Sequence, residues 1–154
     1  MKKLALIAIV TVLVWNCKEE KKSDSQNEME ITETKGDVPI LEEGCYGYDK
    51  NNNTVLFEIE ETTGPVSGNL MYQLDGKDKN TGRFEGTVKE DKLMGTYTFM
   101  SEGKESSREV AFQIKEGRLI EGYGELNEEG TAFKSYGSIN YSSNMPLSKK
   151  ECDQ

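Results

Sequence analysis

The fold class predicted by this sequence is all-β: one small antiparallel up-and-down meander curled into a barrel of about eight or nine strands. Three observations predict it. From residue 44 onward, short runs of alternating apolar and polar residues are separated by turn-forming residues. No segment of helical period interrupts them. The stretches VSGNL, FEGTV and LMGTY (centred on Gly68, Gly86 and Gly95) each set a glycine midway between two apolar residues. Glycine weakens a strand interior, so its recurrence points to sharp bending or close packing, as at the corners of a closed barrel. A flattened sandwich is the alternative.

Ahead of the barrel the chain divides into a leader, residues 1–16, and a tether, residues 17–43. Lys2 and Lys3 precede an apolar run of 12 residues, Leu4 to Trp15. At 1.5 Å per residue it spans roughly 18 Å, short of the roughly 30 Å of a bilayer core, so it reads as a secretory signal and not a membrane span. The run stops at Cys17 with Val14 three residues before it, an arrangement that resembles the leader of bacterial lipoproteins. The resemblance implies cleavage before Cys17, attachment of diacylglycerol and palmitate to that residue, and a place in the cell envelope, anchored by lipid to the outer membrane. Lys18, Glu19 and Glu20 follow at once and look like the charged tag that sends some Gram-negative lipoproteins to the cell surface; a plain solvated tether start is the alternative. Onward to about residue 41 the chain is polar and without period, the composition of a flexible acidic linker.

With Cys17 lipidated, Cys45 and Cys152 remain, one at each end of the domain, residues 44–154. An exported compartment permits them to form a disulfide. Two free buried thiols are the alternative.

The strands follow in order. Cys45 to Tyr48 makes the first. Val55, Phe57 and Ile59 share a face in the second, and Val66, Gly68, Leu70 and Tyr72 do so in the third. Asp75 to Gly82 (DGKDKNTG) reads as a loop, and in the next strand Phe84, Gly86 and Val88 face one way while Glu85, Thr87 and Lys89 face the other. Glu90 to Lys92 turns the chain into Leu93, Gly95, Tyr97 and Phe99, and SEGKES, Ser101 to Ser106, reads as another loop. Arg108, Val110, Phe112 and Ile114 face Leu119, Glu121, Tyr123 and Glu125 across a two-residue turn, Glu116-Gly117. In that register Ile114 opposes Leu119, Val110 opposes Tyr123, and Arg108 opposes Glu125 as an ion pair. Thr131 to Lys134 and Ser138 to Tyr141 are expected to complete the barrel. YTFMSEGKESSREVAF and IEGYGEL are similar to uncharacterised small β-barrel lipoproteins of Gram-negative envelopes, lipocalin-like in general form. That likeness implies a fold and no activity.

Chemistry is narrowed mainly by exclusion. The sequence holds no histidine, which removes His-based acid/base catalysis, His-activated nucleophiles and His-containing zinc sites. A net charge of −9 makes nucleic acid an unfavourable partner. Asp75, Asp78 and Asn80 fail the spacing of a calcium loop, and neither a metal nor a cofactor is expected. Glu121 and Glu125 as a glycosidase pair are set aside, because the mature chain carries no tryptophan platform. Arg108, Glu121 and Glu125 stand as candidate ligand-orienting or rim polar residues. The expected role is non-enzymatic: membrane attachment through the N-terminal lipid, and binding of a small apolar ligand or an envelope protein. The alternative is an interaction or inhibitor lipoprotein that works through its loops with a filled barrel interior. An open interior pocket favours the first, and an interior plugged by Tyr and Phe favours the second.

Overall fold

A computed structural model describes residues 40–101 and 103–152. The leader, Cys17, the Lys18–Glu20 cluster and the tether up to residue 39 lie outside the described residues. Eight strands form a closed antiparallel barrel in chain order: β1 (Gly44–Lys50), β2 (Asn53–Glu61), β3 (Val66–Gln73), β4 (Asn80–Lys89), β5 (Lys92–Ser101), β6 (Lys104–Lys115), β7 (Arg118–Gly122) and β8 (Leu147–Lys150). β8 pairs back onto β1, Cys45 opposite Lys150. The predicted meander is the observed fold.

Alternation places one row of each strand inside. Phe57, Leu70, Phe84, Leu93, Tyr97, Phe112 and Leu119 are fully buried and form one cluster with their neighbours. The rings interlock: Phe57 meets Phe84 edge-on at 5.0 Å between centroids and Phe112 at 5.5 Å, and Tyr72 meets Tyr97 edge-on at 5.7 Å. Such pairs add roughly 0.5–1.5 kcal/mol each beyond the area they bury. The interior is therefore filled by side chains. Leu41 joins the core at the end where the chain enters, and the Tyr46 hydroxyl donates to the Glu42 carbonyl there at 3.0 Å.

The recurrent glycines have a physical reason. Gly86 and Gly95 lie opposite one another in β4 and β5, and a Cβ on Gly95 would stand 2.2 Å from the Glu85 carbonyl oxygen and 2.6 Å from the tip of the Phe84 ring. The two backbones approach closely and Phe84 covers the pair, so no side chain fits on either.

Turn chemistry fixes the hairpins. Glu116 (φ 52°) and Gly117 (φ 70°) form the expected two-residue turn, with both residues in the left-handed region that matches strand twist. Asn51 and Asn52 do the same between β1 and β2.

The structure corrects four expectations. The closing strand is Leu147–Lys150; Ser138 to Tyr141 carries a single bridge, Tyr123 opposite Asn140. Leu147 alone of that strand is buried, so its sequence has no alternation to read. Thr131 to Lys134 likewise holds an isolated bridge, Leu126 to Phe133, and not a strand. SEGKES is not a loop: β5 continues to Ser101 and β6 starts at Lys104, with Ser101 opposite Lys104. Both strands project past the core there, so both faces are polar. The 75–82 loop is also shorter than expected, because β4 begins at Asn80, opposite Tyr72.

Cys45 and Cys152 are joined by a disulfide across a sequence separation of 107. In the chain-entropy account a loop of that length is stabilised by roughly 4–5 kcal/mol.

Candidate functional site

Antiparallel topology sorts the turns onto two ends. The end where the chain enters at Leu41 also carries the 62–65, 90–91 and 116–117 turns. The opposite end carries the 51–52 and 74–79 connections and the Ser101–Lys104 pair where β5 meets β6, and the inward rows of β3, β5, β6 and β7 bring Tyr72, Phe99, Arg108 and Glu121 toward it. This end is the polar mouth of the barrel.

Arg108 extends from β6 over three rings, its guanidinium carbon 5.3 Å from the Tyr72 centroid, 5.7 Å from Phe99 and 5.8 Å from Tyr97. Tyr97 and Phe99 themselves stack at 4.7 Å. A guanidinium among aromatic faces gains cation–π stabilisation. Its Nε is buried and finds no acceptor among the described residues. The Tyr97 hydroxyl is buried and unpartnered too. Burial pushes its pKa up to about 12.

Glu121, on β7, accepts hydrogen bonds from the Tyr72 hydroxyl at 2.8 Å and from the Tyr123 hydroxyl at 3.3 Å. Burial raises its pKa above the usual carboxylate value, against the lowering influence of these hydroxyls and of Arg108. Burial and the neighbouring Glu121 carboxylate raise the Tyr72 phenol in turn. Arg108 and Glu121 are thus brought to one site, as expected.

Glu125 is not part of it. β7 leaves the sheet after Gly122, and Glu125 pairs on the surface with Lys134, Nζ to Oε1 2.6 Å. The expected Arg108–Glu125 and Val110–Tyr123 pairings fail for one reason. Past Ala111, opposite Gly122, the edge of β6 is taken by another segment: the Glu109 N–H donates to the Thr131 carbonyl at 2.7 Å.

That segment, residues 123–146, straps the outside of the barrel. Glu109 holds it, its carboxylate accepting from the Phe133 N–H at 2.8 Å and the Tyr136 hydroxyl at 2.7 Å. Ile139 and Tyr141 seat on Gly122, where a Cβ would meet them at 2.5 and 2.7 Å. Between strap and mouth lies a cleft of about 120 Å³ lined by Arg108, Glu121, Tyr123, Leu126 and Phe133 among others. A larger surface hollow of about 290 Å³ lies where β4, β5 and β6 meet Tyr136. Sequence reasoning missed the strap and the part Glu109 plays in holding it, because the contacts that seat the strap join separate parts of the chain without a repeating pattern.

Among the described residues, Cys45, Glu58 and Cys152 present ligand atoms within 4.8 Å of one another. The two sulfurs are bonded to each other, so no thiolate is left for a metal. Comparison with known family models, curated proteins and solved structures finds no match to this chain.

Proposed function

We propose that this is a lipid-anchored, non-enzymatic protein of the bacterial cell envelope that binds an envelope partner through its outer surface and loops. The observation that carries this reading is the filled interior: Phe57, Phe84, Tyr97 and Phe112 occupy the space where a ligand-carrying barrel holds its cargo. A greasy ligand has no room inside; a partner is met from outside.

Metabolic labelling with a palmitate analogue, compared between wild type and Cys17→Ala and followed by protease shaving of intact cells, tests it. Label on wild type alone is expected, with loss of the barrel on shaving if Lys18–Glu20 is a surface tag. No label on wild type contradicts the anchor.

A further inference from the structure

Among the described residues, two buried side-chain atoms lack a hydrogen-bond partner, Arg108 Nε and the Tyr97 hydroxyl, and both lie at the mouth. Arg108 carries five donors in a planar fork, of which the Nε–H is buried and meets no acceptor among the described residues. A guanidinium left unpaired at a partly buried position is costly unless something else satisfies it. The rings of Tyr72, Tyr97 and Phe99 surround it and fix its position, which favours recognition through its N–H edge. A planar, bidentate acceptor fits that edge.

Three further features narrow the acceptor. The cleft beside Arg108 measures about 120 Å³, well below the ~300–1,000 Å³ of ordinary small-molecule pockets, so the ligand has few heavy atoms. Glu121 and Glu109 both line the same cleft, which disfavours a dianion; Glu109 is engaged by Phe133 and Tyr136, whereas Glu121 accepts from Tyr72 and Tyr123 and retains lone pairs for a donor. Val110, Leu126 and Phe133 add an apolar side to the cleft.

We infer that the mouth is a binding site for a small α-amino or α-hydroxy acid, its carboxylate on the edge of Arg108, its amino or hydroxyl group on Glu121, and a short apolar substituent toward Leu126 and Phe133. This goes beyond the partner-binding role and does not depend on the anchor.

The test is titration of the purified full chain in detergent with lactate, alanine, acetate and inorganic phosphate, followed through the arginine Nε–Hε NMR signal of Arg108. Lactate or alanine is expected to shift it saturably at millimolar concentration, acetate more weakly, and phosphate not at all. Arg108→Lys, which keeps the charge and loses the fork, is expected to weaken lactate binding at least about tenfold as read by calorimetry. Arg108→Gln is expected to abolish it, and Glu125→Gln, on the surface, to leave it unchanged. Circular dichroism checks that each variant is folded. Absence of a saturable shift with lactate and alanine overturns the inference, as does phosphate binding as tightly as either, or unchanged affinity in folded Arg108→Lys. Palmitate labelling is untouched by any of these outcomes, so failure here leaves the envelope reading standing.

Discussion

The wall from β2 to β6 and the side closed by β7, β8 and the 123–146 strap form one barrel by different means. In the wall, long strands pair along most of their length, with a bulge between Ile59 and Glu61 where β2 meets β3, and the β4–β5 seam is drawn so close that Gly86 and Gly95 face each other under the Phe84 ring. On the closing side, β7 meets β8 only through Arg118–Ser148 and Leu119–Leu147. A disulfide, the Glu109 hydrogen bonds and the seating of Ile139 and Tyr141 supply what ladder pairing does not. The difference teaches that closure of this barrel is a tertiary event: the wall is specified by local pattern, the closing side by contacts between distant parts of the chain. The polar mouth sits where the two meet.

The largest effect is expected at the seam. In Gly95→Ala the new Cβ meets backbone on two sides, the Glu85 carbonyl oxygen at 2.2 Å and the Gly86 Cα at 2.6 Å, and neither swings away. A loss of more than about 4 kcal/mol, or failure to fold, is expected in denaturant unfolding.

Next comes the disulfide. Cys45→Ser with Cys152→Ser is expected to cost about 2–5 kcal/mol, read in the same unfolding experiment. Gly122→Ala is the counterpart of the seam variant: its Cβ would meet the movable side chains of Ile139 and Tyr141, not backbone. About 1–3 kcal/mol is expected, with the strap shifting while the barrel stays closed. Equal losses for Gly95→Ala and Gly122→Ala would erase the distinction between the two sides.

The smallest expected effect is Glu121→Gln. The folded-state pKa of Glu121 is raised, so the native protein holds that proton more tightly than the unfolded chain does. The ionised group therefore opposes folding as pH rises from the ordinary carboxylate value through the folded pKa, and the cost is absent at lower pH. Glu121→Gln removes the charge and leaves an amide oxygen to accept from Tyr72. A modest rise in melting temperature at neutral pH, vanishing in acid, is expected in thermal melts over a pH series.

Legibility in the sequence follows the same division. β2 through β5 were readable because Val55, Phe57, Ile59, Leu70, Phe84, Leu93 and Tyr97 recur at every second position against a largely polar opposite row, Leu56, Met71 and Met94 apart, the signature of a sheet with one buried face. β8 was not readable, since Ser148, Lys149 and Lys150 are exposed and Leu147 alone packs inward. Arg108 and Glu121 were legible as inward residues, because parity along a strand needs only local pattern. Their neighbours were not. Tyr72 and Tyr97 reach the site from β3 and β5, and only closure of the barrel brings Tyr72, 49 residues away, onto Glu121. The Arg108–Glu125 pairing failed because the register was extended beyond Gly122, where the strap replaces the strand.

Hydrogen exchange read by mass spectrometry on the full chain, before and after reduction of the disulfide, tests the two-part account most directly. Amides of β3, β4 and β5 are expected to exchange slowest in both states, while β7, the 123–146 strap and β8 exchange sooner and accelerate on reduction. One uniform exchange rate across wall and closing side, or equal acceleration of both on reduction, would contradict it.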